Sequence, residues 1–258
     1  MADIPASAVA SLRARTGVSM MECKKALEEA NGDEEQAIDI LRKKGEAQVV
    51  KKADREQKEG YTFATEDGNK VALISVHCET DFVSRGEPFQ KLGATLAELT
   101  LKEGTENIQE LASPQILEAV QTMGENITLG QTHVVEASTI GTYVHTNGKI
   151  GVVVGLEGGS AEAARDAAMH AAAMNPLYTK PEEVSAETVD EEKVVWTEQL
   201  KAEGKPEEII EKILMGKEKK FREEHALLTQ PFVKDPSQTV GQYLGSATVT
   251  EYLRVSIA

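Results

Sequence analysis

The sequence predicts an α+β protein: short helices first, then an antiparallel αβ core in two related parts, with a charged helical pair set into the second. Three observations carry this. Near the N-terminus, apolar residues recur at three- and four-residue spacing between the stops Gly17, Gly32 and Gly45. Further on, strand–turn–strand patterns surround Asp67-Gly68-Asn69 and Asn147-Gly148, each followed by a helical pattern. Last, residues 188–228 are densely charged yet keep a narrow apolar stripe.

The first helix is expected over Ala6 to Thr16, with Val9, Leu12 and Arg13 on neighbouring turns and Gly17 as a left-handed cap. Ser19 can cap the second, with Glu22 three positions on as in a capping box. That helix is expected to bury Met21, Ala26 and Leu27 and to end near Asn31-Gly32. Asp33 starts a third, with Ala37, Ile38 and Leu41 as its stripe and Gly45 as its stop. Residues 46–60 have almost no apolar face and read as a linker or a solvated helix extension, so the first module is expected to be tethered rather than fused.

Tyr61 to Phe63, the turn at Asp67-Gly68-Asn69 and Val71 to His77 form the first hairpin. A helix with Phe89, Leu92, Leu96 and Leu99 on one stripe follows. A second is expected from Ser113 as N-cap and Pro114 as first residue, through Ile116, Leu117 and Val120. The plan then recurs: Thr142 to His145, Asn147-Gly148 and Ile150 to Val154, followed by an alanine-rich helix from Ala161 to Ala173. Ala163, Ala164, Ala167, Ala168, Ala171 and Ala172 suit close approach to a sheet or neighbouring helix.

Thr188 to Ala202 and Glu207 to Leu228 form a helical hairpin, broken at Gly204 and Pro206. Its expected seam is Val195 and Gln199 against Ile210, Ile213, Lys217 and Phe221. The chain returns through Gln230 to Val233 and a short helix around Val240 and Leu244. A strand from Val249 to Ile257 then completes the second sheet.

Composition limits the function. At 258 residues and 40% hydrophobic, the chain can build two or three small cores. A net charge of −15 argues against phosphate binding as the main business, so no direct nucleic-acid or nucleotide partner is expected. Cys23 and Cys78 lie far apart with no zinc spacing and read as packed, reduced thiols. No apolar run approaches a membrane span, and Met1 to Pro5 lacks a basic-then-apolar signal, which predicts a cytoplasmic protein. Gly141 and Gly148-Lys149 do not make a phosphate loop, because Ile150 stands where Ser or Thr is required. No cofactor and no catalytic residue is expected. With no second histidine at ligand spacing, His77, Glu79 and Asp81 are not expected to form a metal site.

The segment Cys78-Glu79-Thr80-Asp81-Phe82-Val83-Ser84-Arg85 ends the buried run Val71 to Val76 and sets an aromatic at a strand end. From position alone, Phe82 is either a docking aromatic displayed on a loop or a core residue opening the next helix. His77 to Val83, with Thr16-Gly17 and Met20-Met21-Glu22-Cys23-Lys24-Lys25-Ala26-Leu27 upstream, resembles the bacterial elongation factor Ts family. Two separate signatures in the right order make the match specific, and it extends over essentially the whole chain.

The resemblance implies a guanine-nucleotide exchange factor for the translational GTPase elongation factor Tu. It implies that Thr80, Asp81, Phe82 and Val83 meet the GTPase, Phe82 wedging between helices and dislodging Mg²⁺. Arg13, Met20, Met21 and His170 are implied as further contacts. Adjacent helical residues point about 100° apart, so Met20 is expected displayed and Met21 partly buried. The implied organisation is a ubiquitin-associated-like three-helix domain with charged linker at 1–54 and core subdomains at 55–140 and at 141–182 with 229–258. A helical-hairpin (coiled-coil) insertion at 183–228 meets either the GTPase or a second copy, giving a possible homodimer. Some relatives carry a further C-terminal helix, expected to be missing because the sequence stops at Ala258. The alternative is a non-enzymatic adaptor that uses the three-helix module to bind another partner.

Overall fold

A computed structural model describes residues 4–257, apart from the side chains of 46, 48 and 50; the readings made on Met1 to Asp3 and on Ala258 lie outside these. The chain divides into two units. One runs to Val134 and includes Val144–Gly151 and the residues from Val255; the other comprises Val135–Tyr143 and Val152–Arg254.

The first unit opens with three helices, α1 (Ala6–Thr16), α2 (Met20–Glu29) and α3 (Glu34–Lys52). Gly17 closes α1 at φ 66°, donating its N–H to the Arg13 carbonyl. Ser19 Oγ accepts from the Glu22 N–H at 3.3 Å, and Asp33 Oδ1 from the Gln36 N–H at 2.9 Å. Val9, Leu12, Cys23, Ala26, Leu27, Ala37 and Leu41 form their core. Gly45 does not stop α3. A Cβ there would overlap the Gln121 side chain, so this glycine serves close approach, and the helix continues to Lys52. Gln121 Nε2 donates to the Leu41 carbonyl at 2.5 Å and Lys52 Nζ to that of Val120 at 3.3 Å.

Strands β1 (Glu59–Asp67) and β2 (Lys70–Cys78) pair antiparallel, with Asp67 opposite Lys70 across the two-residue turn Gly68-Asn69. The helices α4 (Asp81–Ser84), α5 (Glu87–Glu103) and α6 (Ile108–Met123) follow, and β3 (Thr128–Glu136) completes a sheet of order β1-β2-β3. Phe89, Leu96, Ile108 and Val120 cover Ile74 and Val76. Helix α6 starts before the expected Ser113-Pro114. Burial of Ile108 and Ala112 holds the earlier turns, and Pro114 sits inside the helix despite its missing N–H. Strand β3 is absent from the sequence reading, because Gly130 to His133 interrupt any apolar run between Leu129 and Val134.

The second unit holds most of the sheet β4-β5-β8, from β4 (Thr139–Val144), β5 (Ile150–Glu157) and β8 (Thr248–Ser256). Between β5 and β8 lie α7 (Ala161–Met174), α8 (Ala186–Ala202) and α9 (Glu207–His225). The two-stranded ribbon β6 (Pro231–Phe232) and β7 (Asp235–Thr239) and the short helix α10 (Val240–Leu244) come next. The alanine face of α7 permits close approach: a Cβ on Gly141 would overlap the backbone of Ala164 and Arg165. The α8 seam differs from the expected one. Val189, Trp196 and Leu200 are buried while Val195 and Gln199 are exposed, because the large indole takes the inward position and stacks edge-on to Phe221 at 5.6 Å. Among the described residues no helix is long and apolar enough to cross a membrane.

Candidate functional site

Strand β2 delivers its last residue, Cys78, into the core, where burial, then the nearby Glu125 carboxylate, push the thiol up to about 12. The chain then turns out of the sheet. Thr80 is extended (φ −129°, ψ 155°) and caps α4, its Oγ1 accepting from the Val83 N–H at 3.4 Å. A helix of four residues cannot sustain itself, since nucleation is unfavourable without outside support. The support is specific. Glu125 Oε2 accepts the N–H groups of Glu79 (2.9 Å) and Thr80 (3.1 Å), and its Oε1 accepts the Thr80 hydroxyl at 2.5 Å. In return, Glu79 Oε1 accepts the Asn126 N–H at 2.7 Å. At the other end, buried Ser84 donates to the Asp81 carbonyl at 3.1 Å, and Gln90 Nε2 donates to the Ser84 carbonyl at 2.6 Å.

On this turn Val83 packs against the core cluster while Phe82, about 100° round the helix, is 86% exposed. An aromatic so exposed on a turn so fully tied has the character of a docking element. Asp81 is half-exposed and pairs with Arg85 at 3.4 Å. Such an exposed i,i+4 pair is worth only about 0.3–0.5 kcal/mol, which leaves the carboxylate free to change partners. Upstream, burial lowers the pKa of His77, whose Nε2 lies 3.1 Å from Ser75 Oγ; the ring is occupied within its own strand.

Arg13 is exposed on α1. Met20 and Met21 are both exposed, and Met21 more so, at 64% against 42%. The expected order of the two is therefore reversed. Counting about 100° per residue from buried Cys23, Met20 lies about 60° off the core direction and Met21 about 160°. Cys23, not Met21, supplies the inward side chain.

His170 is completely buried on α7 and offers no surface. Its Nε2 lies 2.9 Å from Gln230 Oε1, and its Nδ1 accepts the Val233 N–H at 3.2 Å. Burial lowers its pKa, opposed by the Gln230 bond, so the ring is neutral, as an accepting Nδ1 requires. One turn earlier, burial pushes the Asp166 carboxyl up, but Lys234 at 2.5 Å and the Tyr243 hydroxyl at 2.8 Å outweigh it and hold it below its usual value. These two α7 side chains fix the ribbon segment that carries Val233, 39% exposed; Met174 and Leu177 are also exposed.

Sequence reasoning missed Glu125, Asn126 and Val233. Gly124 signals only that α6 ends there, through its left-handed cap at φ 78°. Nothing local says that the next carboxylate reaches back to a strand end more than forty residues earlier.

The family model for elongation factor TS matches residues 79–258. Over nearly their full lengths, the chain is similar to curated proteins named elongation factor Ts. It is 42% identical to that of Aeromonas hydrophila, over 100% of this chain and 92% of that protein. It is 41% identical to that of Deinococcus radiodurans and 40% to that of Deinococcus deserti, in each case over 96% of this chain and 98% of the relative.

Proposed function

The chain belongs to the elongation factor Ts family and is a translation elongation factor; we propose that it releases GDP from elongation factor Tu by inserting Phe82 beside the nucleotide site. The observation that carries this reading is the 86% exposure of Phe82 on a turn whose backbone is tied at both ends. A partner helix pair that receives such a ring must move, because the turn beneath it does not. Mg²⁺ demands near-ideal octahedral geometry, so a small displacement of its ligands weakens it, and the nucleotide phosphates lose their counter-charge. Asp81 sits beside the ring, where its carboxylate can exchange Arg85 for a partner's helix end or perturb the metal's surroundings.

Exchange also needs grip. Arg13, Met20 and Met21 are each exposed on the three-helix module, and methionine adapts to irregular pockets. We assign this module, residues 1–54, as the ubiquitin-associated-like domain that orients the factor. His170 acts through what it holds, placing Val233 as the contact instead of touching the partner itself. The insertion at 183–228 supplies a further arm, toward the GTPase or toward a second copy.

Linkage provides the test. A factor that lowers nucleotide affinity must itself bind nucleotide-free elongation factor Tu more tightly than the GDP-bound form, by the same ratio. Titrating GDP with Mg²⁺ into the complex should displace this chain. Equal affinity for both forms would exclude exchange and leave an adaptor.

A further inference from the structure

We infer that Glu125 is a positioning residue for the exchange lever. The segment 124–127 between α6 and β3 holds the Phe82 turn in the orientation from which it acts. This inference rests on the reading of Phe82 as that lever.

The connection is reciprocal and bridges two segments remote in sequence. One carboxylate takes three hydrogen bonds, from the Glu79 and Thr80 N–H groups and the Thr80 hydroxyl. Those are the donors left open where β2 ends and α4 has not begun, and a carboxylate meets them with charge-assisted bonds. The Glu79 side chain crosses back to the Asn126 N–H, so neither segment can rotate without breaking bonds in both directions. Asn126 is itself buried and anchored. Its Nδ2 donates to the carbonyls of Ala53 (3.3 Å) and Arg55 (3.0 Å), and its carbonyl accepts Gln57 Nε2 at 3.0 Å. Thus the support of the Phe82 turn is continuous with the segment that follows α3. Phe82 itself is 86% exposed, so its direction is set by the backbone beneath it: Glu125 holds the entry to the turn, and Ser84 and Gln90 hold its exit.

Glu125→Ala removes all three acceptors, while Glu125→Gln keeps a carbonyl oxygen for the two N–H groups and turns its amide to the Thr80 hydroxyl, which can accept. The experiment measures release of fluorescent GDP from elongation factor Tu against concentration of the full-length chain. Amide hydrogen exchange at Glu79 and Thr80 is followed in parallel. Misplacing a positioned group by about 1 Å can cost about a hundredfold. We expect Glu125→Ala to lower the maximal release rate at least about tenfold. The concentration for half-maximal effect should stay within about threefold, and the two amides should exchange faster. Glu125→Gln should restore most of the rate.

A folded Glu125→Ala protein with faster-exchanging amides and an unchanged maximal rate would overturn the inference. So would a loss equal in Glu125→Gln and Glu125→Ala, or one that only follows the fraction folded. No acceleration by the unaltered chain would instead reject the exchange reading itself.

Discussion

Phe82 and Val83 are neighbours with opposite fates, one displayed and one packed on the core, and sequence alone left Phe82 balanced between them. What decides is Ser84: its burial and its bond to the Asp81 carbonyl set the phase of the turn. The histidine was legible as a residue that matters but not in its manner, since its partners Gln230 and Val233 lie some sixty residues away. His170, His77 and His133 all have pKa values lowered by burial from the ordinary 6.5. Their neutral forms belong to the folded state. Stability from this source is therefore complete above pH 6.5 and lost as pH falls below it toward the folded values. Urea midpoints should fall between pH 7 and about pH 5, with a shallower fall in His170→Asn; an equal slope would assign the acid sensitivity elsewhere. Cys78, with its thiol pushed up to about 12, should resist alkylation at pH 8 until the protein is denatured, and rapid native labelling would contradict its packing.

Among the elements, helix ends marked by a local cap were readable: Gly17 closes α1 and Ser19 opens α2 where their chemistry predicts. Elements held by distant packing were not. Gly45 looks like a stop but makes room for Gln121, and Pro114 looks like a start but is carried by the burial of Ile108. In the hairpin, apolar spacing located α8 and α9 while the face depended on where the single tryptophan fits. Trp196 therefore reports on that seam. Phe221→Ala should shift its emission to the red as water enters, and unchanged emission would show that the ring contact is dispensable. Gly148 presents its carbonyl to the Thr62 N–H, which donates to it at 2.7 Å. It stands at φ 71°, and a Cβ there would overlap the Tyr61 ring. Gly148→Ala should lose about 1–3 kcal/mol of unfolding free energy by urea titration; full stability would mean that the turn relaxes freely.

For the whole molecule, the family was legible from two signatures that each join core residues, such as Cys23, Leu27 and Cys78, to exposed ones, the methionines of α2 and Phe82 after β2. The support beneath those surfaces was not legible, because it is made by long-range hydrogen bonds with no local pattern. Grip and lever are separate parts of the account, and they should separate in kinetics. Replacing Met20 and Met21 together by alanine should raise the concentration needed for half-maximal exchange and leave the maximum nearly unchanged; a lower maximum would make the module part of the lever. The most direct test is release of fluorescent GDP from elongation factor Tu by the unaltered chain and by Phe82→Ala, with folding of the variant checked by its urea midpoint. Truncating a central aromatic anchor typically costs about 2 kcal/mol or more. The account predicts fast release with the unaltered chain and at least about a thirtyfold slower maximum with the folded variant. Equal acceleration by both would contradict it.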